Sequence, residues 1–251
     1  MLKVRIIPLL LLKGNSLVKS VSFADHRIVG DAMSTIKVFS RRFADEMIIL
    51  DLDARDKGVI NTELLKRISG ECNMPLTFGG GIDSVEKADQ AFYSGADKIT
   101  INSAFFKKPE IIKKIVDRYG SQSIVLSLDV KRQDNDFIIY YNNASKIVTD
   151  LNLEQSIEKA NMLGIGEILV NDINRDGMMN GLDLDLIETL RSRIKLPLIV
   201  AGGCADMEDF NSAFKLGVDG IAAGSIFHWI GESIVGIKTY LKDKDINVRT
   251  L

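Results

Sequence analysis

Two stretches of the chain, Pro75–Phe106 (PLTFGGGIDSVEKADQAFYSGADKITINSAFF) and Pro197–His228 (PLIVAGGCADMEDFNSAFKLGVDGIAAGSIFH), align without a gap at a constant offset of 122 residues. Pro75, Leu76, Gly80, Gly81, Glu86, Ala91, Phe92, Gly95, Asp97, Ser103 and Phe105 each meet an identical residue. Chance similarity between two strand–helix units would match apolar positions. Paired glycines at loop positions require a shared backbone path. A shorter pair, Glu46–Asp51 and Glu167–Asp172, extends the relation toward the start of each half. The chain therefore reads as two related halves.

Outward from this repeat, the chain alternates strand and helix eight times. Candidate strands are Val4–Leu12, Met47–Asp53, Pro75–Phe78, Lys98–Asn102, Ile124–Val130, Ile168–Ile173, Pro197–Ala201 and Gly220–Ala223. Most are short and apolar on both faces, as parallel strands covered by helices must be. Amphipathic segments lie between them, among them Glu63–Gly70, Ser84–Ser94, Pro109–Tyr119, Leu153–Leu163, Leu184–Arg193 and Met207–Leu216. Pro109 suits a first helical turn, and Gly95 and Gly217 suit helix ends. The pattern predicts an α/β fold, a (βα)8 TIM barrel built from two half-barrels, with residues 1–251 as a single domain.

Composition agrees with that class. Of 251 residues, 46% are hydrophobic and 26% charged, enough apolar material for a large core. A net charge of −2 without a basic stripe argues against nucleic acid as a partner. Cys72 and Cys204 form no metal-ligand or disulfide pattern. No cofactor or metal is expected, and His26 and His228 have no Ser or Cys constellation beside them in sequence. The longest apolar run, Ile6–Leu12, is too short to span a bilayer, so the expectation is a cytoplasmic protein.

In such a barrel, chemistry sits at the carboxyl ends of the strands. Phe78-Gly79-Gly80-Gly81-Ile82-Asp83 follows one strand directly and precedes a helix, and Ala201-Gly202-Gly203-Cys204 is its mirror. Glycines let a backbone approach a phosphate and aim N–H groups at it. One unit later each half has a second polar strand end, Asn102-Ser103 and Gly224-Ser225. Two anion sites are predicted, suited to a ligand with a phosphate at each end.

The stretches Arg5-Ile6-Ile7-Pro8, Phe78–Ile82, Gly120-Ser121-Gln122, Asn174-Arg175-Asp176-Gly177 and Asn247-Val248-Arg249 resemble, along essentially the whole chain, the HisF family, the cyclase subunit of imidazole glycerol phosphate synthase. The resemblance implies a barrel docked on a HisH-like glutaminase as a heterodimer. Ammonia from the glutaminase would cross the barrel to a two-phosphate substrate, with one aspartate at the end of the first strand and one at the end of the fifth as general acid and base. The fifth-strand aspartate is Asp129. The half-barrel repeat sets Leu11 where its partner belongs, and no carboxylate lies between Met1 and Asp25. Losing a general acid or base removes about 10²–10⁴-fold of rate. The loop Asn174–Met179 also departs from the cyclase pattern, in its first residue and after its glycine.

Other family positions are kept. Arg5, Glu46, Lys98 and Glu167 sit at strand starts, where alternating charges would pair as a stabilising ring. The resemblance makes them an ammonia gate, with Asp97 beside it as a glutaminase contact. It also suggests binding roles for Lys19, in the loop after strand one, and for Asp51, Asp176 and Gly177. Solvation or local hydrogen bonding are the plainer roles for these residues. Phe227 and Trp229 are read as packing the last helix onto the barrel.

A kept gate with half the acid–base pair lost is similar to a HisF paralogue group associated with amidation of surface sugars. Those proteins share stretches like Arg5–Lys13, Leu17-Val18-Lys19 and a phenylalanine such as Phe23. In that setting the barrel and its glutaminase supply ammonia to a separate ATP-dependent amidotransferase acting on a nucleotide sugar for O-antigen or a related glycan. Two alternatives stand beside this: a working histidine-pathway cyclase that tolerates Leu11, and a non-catalytic barrel that binds phosphorylated metabolites and activates the glutaminase.

Overall fold

The computed structural model describes residues 3–21, 24–134, 136–142, 144–148, 150–230 and 233–249; Phe23 and the side chain of Trp229 lie outside this set. Eight strands line the axis: β1 (Arg5–Lys13), β2 (Met47–Asp51), β3 (Leu76–Gly79), β4 (Lys98–Ile101), β5 (Ile124–Gln133), β6 (Glu167–Asp172), β7 (Leu198–Ala201) and β8 (Gly220–Ala223). Each is parallel to the next. The ring closes where β8 pairs with β1, from Arg5↔Gly220 to Pro8↔Ala223. The main helices are α1 (Ala32–Arg41), α2 (Thr62–Glu71), α3 (Val85–Tyr93), α4 (Pro109–Tyr119), α5 (Leu153–Leu163), α6 (Leu184–Arg193), α7 (Met207–Lys215) and α8 (Ile234–Asp243). The expected (βα)8 barrel is the fold, and Pro109 occupies the first turn of α4.

Side chains alternate across each strand, which divides the core in two. Ile6, Leu10, Phe78, Ile99 and Leu126 face outward into the layer under the helices. Ile7, Leu9, Ile48, Val125, Leu169 and Ile199 fill the barrel interior. Most expected strand boundaries shift by one residue; the larger changes are β5, which runs on to Gln133, and β2, which stops at Asp51 rather than Asp53. The Asp51 carboxylate accepts the N–H of Ala54 at 3.0 Å and starts a short helix, Leu52–Lys57. Phe227 packs edge-on against Phe39 of α1, 5.6 Å between centroids.

Two excursions above the barrel are not visible in the repeat. After β1, strands Ser16–Val21 and Ala24–Asp31 fold back antiparallel, with Leu11↔Val18 in register. After β5, Asp136–Tyr141 and Lys146–Ile147 do the same, with Asp129↔Tyr140. Leu11 also pairs with Leu50 of β2, as Asp129 pairs with Asn171 of β6. Both neighbours agree, so Leu11 occupies the half-barrel position of Asp129.

At the opposite end, three aspartates brace strand starts. The carboxylates of Asp45, Asp97 and Asp219 accept the N–H groups of Ile6 (3.0 Å), Leu76 (2.8 Å) and Leu198 (2.9 Å). Each aspartate returns its own N–H to the carbonyl of the same residue. Asp97 is solvent-exposed, yet its carboxylate is engaged in this brace. Asp45 is buried and also meets Lys238 of α8 at 2.6 Å, tying the last helix to the closure of the ring. Lys238→Ala strands a buried carboxylate and is expected to destabilise the chain by about 3 kcal/mol, measured by urea unfolding.

Candidate functional site

The amino end of the barrel is crossed by a ring of four charges. Arg5 bridges Glu46 at 2.8 Å and Glu167; Lys98 bridges the same two carboxylates at 3.1 and 2.8 Å. The Thr77 hydroxyl donates to Glu46 at 2.7 Å. Both glutamates are buried while Arg5 and Lys98 remain about a fifth exposed. Burial alone would raise the Glu167 carboxyl; its bonds to Arg5 and Lys98 prevail and hold it below the ordinary range. Burial likewise opposes the Arg5 charge, and the two glutamates more than offset it. All four residues singled out in the sequence meet here, and together they span the lumen.

Toward the carboxyl end the lumen is two-sided. Leu9, Leu50, Ala201 and Ala222 form an apolar wall. Thr100, Ser127, Asp129 and Asn171 form a buried polar one. The Thr100 hydroxyl and Asn171 Oδ1 have no hydrogen-bond partner among the described residues.

Above the polar wall opens a cavity of about 340 Å³. It gathers the first-half site residues Asp51, Gly80, Gly81, Asn102 and Ser103 together with Asp129 from the end of β5. Asn102 donates through Nδ2 to the Ser127 carbonyl (2.9 Å) and to Asp129 (3.3 Å). The Ser103 hydroxyl accepts the N–H of Asn142 from the β5 excursion at 3.1 Å. Four cations that sequence reading missed also line this cavity: Arg55, Lys87, Lys107 and Lys108. None lies in a motif, and a solvated lysine on a helix has the same sequence signature.

The second-half residues Asp176, Gly177, Gly202, Gly203, Gly224 and Ser225 also meet, with Lys19 from the excursion after β1, around a space of only about 30 Å³. The Lys19 ammonium donates to the Leu9 carbonyl at 3.3 Å. Burial lowers it to about 8, against the attraction of Asp176. Asp176 accepts the Ser20 hydroxyl at 3.1 Å.

The twin glycine loops have a packing reason in addition to any ligand. A Cβ on Gly80 would overlap the Asp51 carbonyl, and one on Gly202 the Asp172 carbonyl, so each loop crosses the preceding strand end where only hydrogen fits. Asp51 and Asp172 are matched in a second way, since each carboxylate accepts a local backbone N–H, Ala54 and Asn174. Burial raises both above the ordinary range.

Asp129 is the one carboxylate of the polar wall, 6% exposed. Burial pushes it up to about 7; a hydrogen bond from Asn171 works against the rise, and the negative charge of Asp176 adds to it. A carboxyl near 7 exchanges protons in either direction at neutral pH. Leu11 supplies no second group for that exchange. Among the described residues, no cluster of His, Cys, Asp and Glu suits a metal, and no helix is long and apolar enough to cross a membrane.

Comparison with known proteins places this geometry. The family described as histidine biosynthesis protein matches residues 5–230. The chain is 39% identical over 251 residues, all of both chains, to a putative imidazole glycerol phosphate synthase subunit hisF2 of Campylobacter jejuni. It is 38% identical to the imidazole glycerol phosphate synthase subunit HisF of Dictyoglomus thermophilum, over 99% of each chain. A putative HisF subunit of Leptospira borgpetersenii is 37% identical over 92% of each.

The Asp129 environment carries a measurable signature. The folded chain keeps that proton to about 7, while an unfolded chain releases it near 3.8, so stability falls as pH rises through this window. Asp129→Asn is expected to remove the slope and to raise stability at pH 8 by about 2 kcal/mol, read by urea unfolding at pH 4 and pH 8.

Proposed function

The chain belongs to the histidine biosynthesis protein family as a HisF-like barrel, and on that premise we propose that it conducts ammonia from a glutaminase to a separate acceptor enzyme. A HisH-like glutaminase docks on the charged end in a one-to-one heterodimer. Ammonia enters past Arg5, Glu46, Lys98 and Glu167 and leaves beside Asp129. The acceptor is an ATP-dependent amidotransferase that modifies a nucleotide sugar for a surface glycan.

The observation that carries this reading is Leu11 at the register position of Asp129, above an intact four-charge ring. An ordinary cyclase needs two proton-transfer groups and a passage. This chain keeps the passage and one group. The lumen suits neutral ammonia: Thr100 and Asn171 offer hydrogen bonds along the polar wall, while a hydrated ammonium would lose several kcal/mol of solvation against the apolar one. The ring opens for passage by breaking one bridge, and the partly exposed cations Arg5 and Lys98 move at lower cost than the buried glutamates.

A second reading is a histidine-pathway cyclase that works with Asp129 alone. Its support is the raised Asp129 carboxyl and the relatives named HisF at 37–38% identity. Purified protein assayed with ammonium salt and the two-phosphate histidine intermediate separates the two. The expected result is turnover at least about 10²-fold below that of an ordinary cyclase, with partial recovery in Leu11→Asp. Turnover at cyclase level overturns the proposal. A complementary assay follows amide nitrogen of labelled glutamine into the sugar product. Incorporation is expected only when the barrel is present, and is expected to fall in Glu167→Ala.

A further inference from the structure

The repeat supplies an internal comparison for the cations of the first-half cavity. Both halves have a glycine loop and a polar strand end, and these elements suit one phosphate each. Arg55, Lys87, Lys107 and Lys108 are additional, and the second half has no cation at any matching position. At the offset of 122, Lys87 meets Asp209, and Lys107 and Lys108 meet Trp229 and Ile230. Carried four residues further, the pairing of Glu46–Asp51 with Glu167–Asp172 sets Arg55 against Asp176. Asp209 is committed to its own loop, where it accepts the N–H groups of Ala205 at 2.7 Å and Leu182 at 3.3 Å. One half alone therefore carries a set of positive charges that the shared glycine loops do not require.

These cations reach the cavity from three segments. Arg55 lies on the short helix Leu52–Lys57, Lys87 in the first turn of α3, and Lys107 and Lys108 just before α4. The Lys87 ammonium donates to the Gly81 carbonyl at 3.2 Å, so the cationic rim begins on the glycine loop itself. Lys87 and Lys108 share one carboxylate, Asp83, at 2.7 and 3.4 Å. Arg55 meets Asp56 at 2.7 Å, and the Lys107 ammonium lies over the Tyr141 ring, 5.2 Å from its centroid. Among the described contacts, these four cations thus share two carboxylates, Asp83 and Asp56. Deeper in the cavity, Asp51 is engaged with the Ala54 N–H and Asp129 keeps its proton to about 7.

Burial favours a small ligand over a protein partner. The Arg55 and Lys87 side chains are 28% and 21% exposed and line a concavity, so a protein surface would reach Lys107 and Lys108 and miss these two. A cavity of about 340 Å³ accommodates a phosphate with space beside it. The ion pairs to Asp83 are partly exposed and contribute little, so an entering anion replaces that carboxylate at small cost. Lysine and arginine are well suited to phosphate oxygens. A second phosphate joined to the first is the group that engages loop and rim together.

We propose that the first-half site is bipartite and takes a diphosphate ester. The inner phosphate sits at Gly80–Gly81 and Asn102–Ser103, and the outer one meets Lys87, Lys107, Lys108 and Arg55. The inference rests on the reading of this glycine loop as an anion site, and it deepens the function proposed above. A nucleoside diphosphate sugar carries the required group. Bound in this way, the molecule to be amidated would lie beside Asp129, at the end of the lumen from which ammonia emerges.

Backbone amide chemical shifts of the full-length protein, titrated in metal-free buffer with inorganic phosphate and separately with inorganic pyrophosphate, test this site by site. At Gly80, Gly81, Asn102 and Ser103, pyrophosphate is expected to saturate at least about tenfold below phosphate, as added charge-assisted hydrogen bonds imply. No comparable preference is expected at Gly202, Gly203, Gly224 and Ser225, which separates the rim from the plain effect of ligand charge. The double variant Lys107→Ala, Lys108→Ala is expected to lose most of the preference at the first set. Its phosphate affinity there is expected to stay within about threefold, because the outer charges are screened from the inner site. Pyrophosphate binding no tighter than phosphate at the first set, or an equal preference at the second, overturns the diphosphate assignment while leaving an anion site standing. A preference that survives in the variant, or a variant that weakens both anions alike, overturns it as well. No shift at the first set with either anion removes the anion-site reading itself, and the inference with it.

Discussion

Strand β1 is hydrogen-bonded on both sides, to β8 through Arg5–Pro8 and to β2 through Leu9–Leu12. That closure fixes the pleat, and the pleat decides which side chains face the axis. Arg5, Ile7, Leu9 and Leu11 form one inward ladder from the charged end to the carboxyl end. A slip of one residue would aim Ile6 and Leu10 at the lumen and turn Arg5 into the apolar layer under the helices. The Asp45 brace on Ile6 and the Lys238 contact from α8 oppose that slip. The charged ring, lumen and upper cavities thus inherit their positions from one register.

The ring of charges depends on the closure as well as blocking it. Two cations each bridging two buried glutamates satisfy charges that would be costly alone. Each strand start contributes one member, so the ring assembles only when β1, β2, β4 and β6 are in register. On the proposed ammonia passage, stability and transit pull in opposite directions here, since the ring stabilises most when its bridges are intact.

Much of this was legible in the sequence because a duplication leaves two copies to compare. The offset between Pro75–Phe106 and Pro197–His228 exposed the glycine loops, and the half-barrel repeat set Leu11 against Asp129. The glycine loops and polar strand ends of each half fall together, whereas Asp129 of the second half lines the first cavity and Lys19 of the first half lines the second space. What escaped the sequence are features with no copy. The excursions after β1 and β5 share register but little sequence, and the cations Lys107 and Lys108 sit in one half only. The brace made by Asp97 has no signature in the sequence, because a one-dimensional pattern does not show that a carboxylate holds a strand start. The direction of Lys19 is of the same kind. Sequence identifies a loop lysine, and the packing of Gly177 on Ser20 decides where it goes.

Leu11 and Lys19 lie eight residues apart on paired strands, and their effects converge. Leucine removes a charge from the lumen wall and extends the apolar face formed by Leu9 and Leu50. Asp176 is the carboxylate lining the space around Lys19. The ammonium lies near Asp176 and donates to the Leu9 carbonyl, over Gly224. The negative charge of Asp176 in turn helps keep the Asp129 carboxyl high, so the two halves of the site communicate through one residue. The two upper spaces thus differ in kind: one is open and rimmed by cations beside Asp129, and the other is small, with Lys19 and Asp176 together.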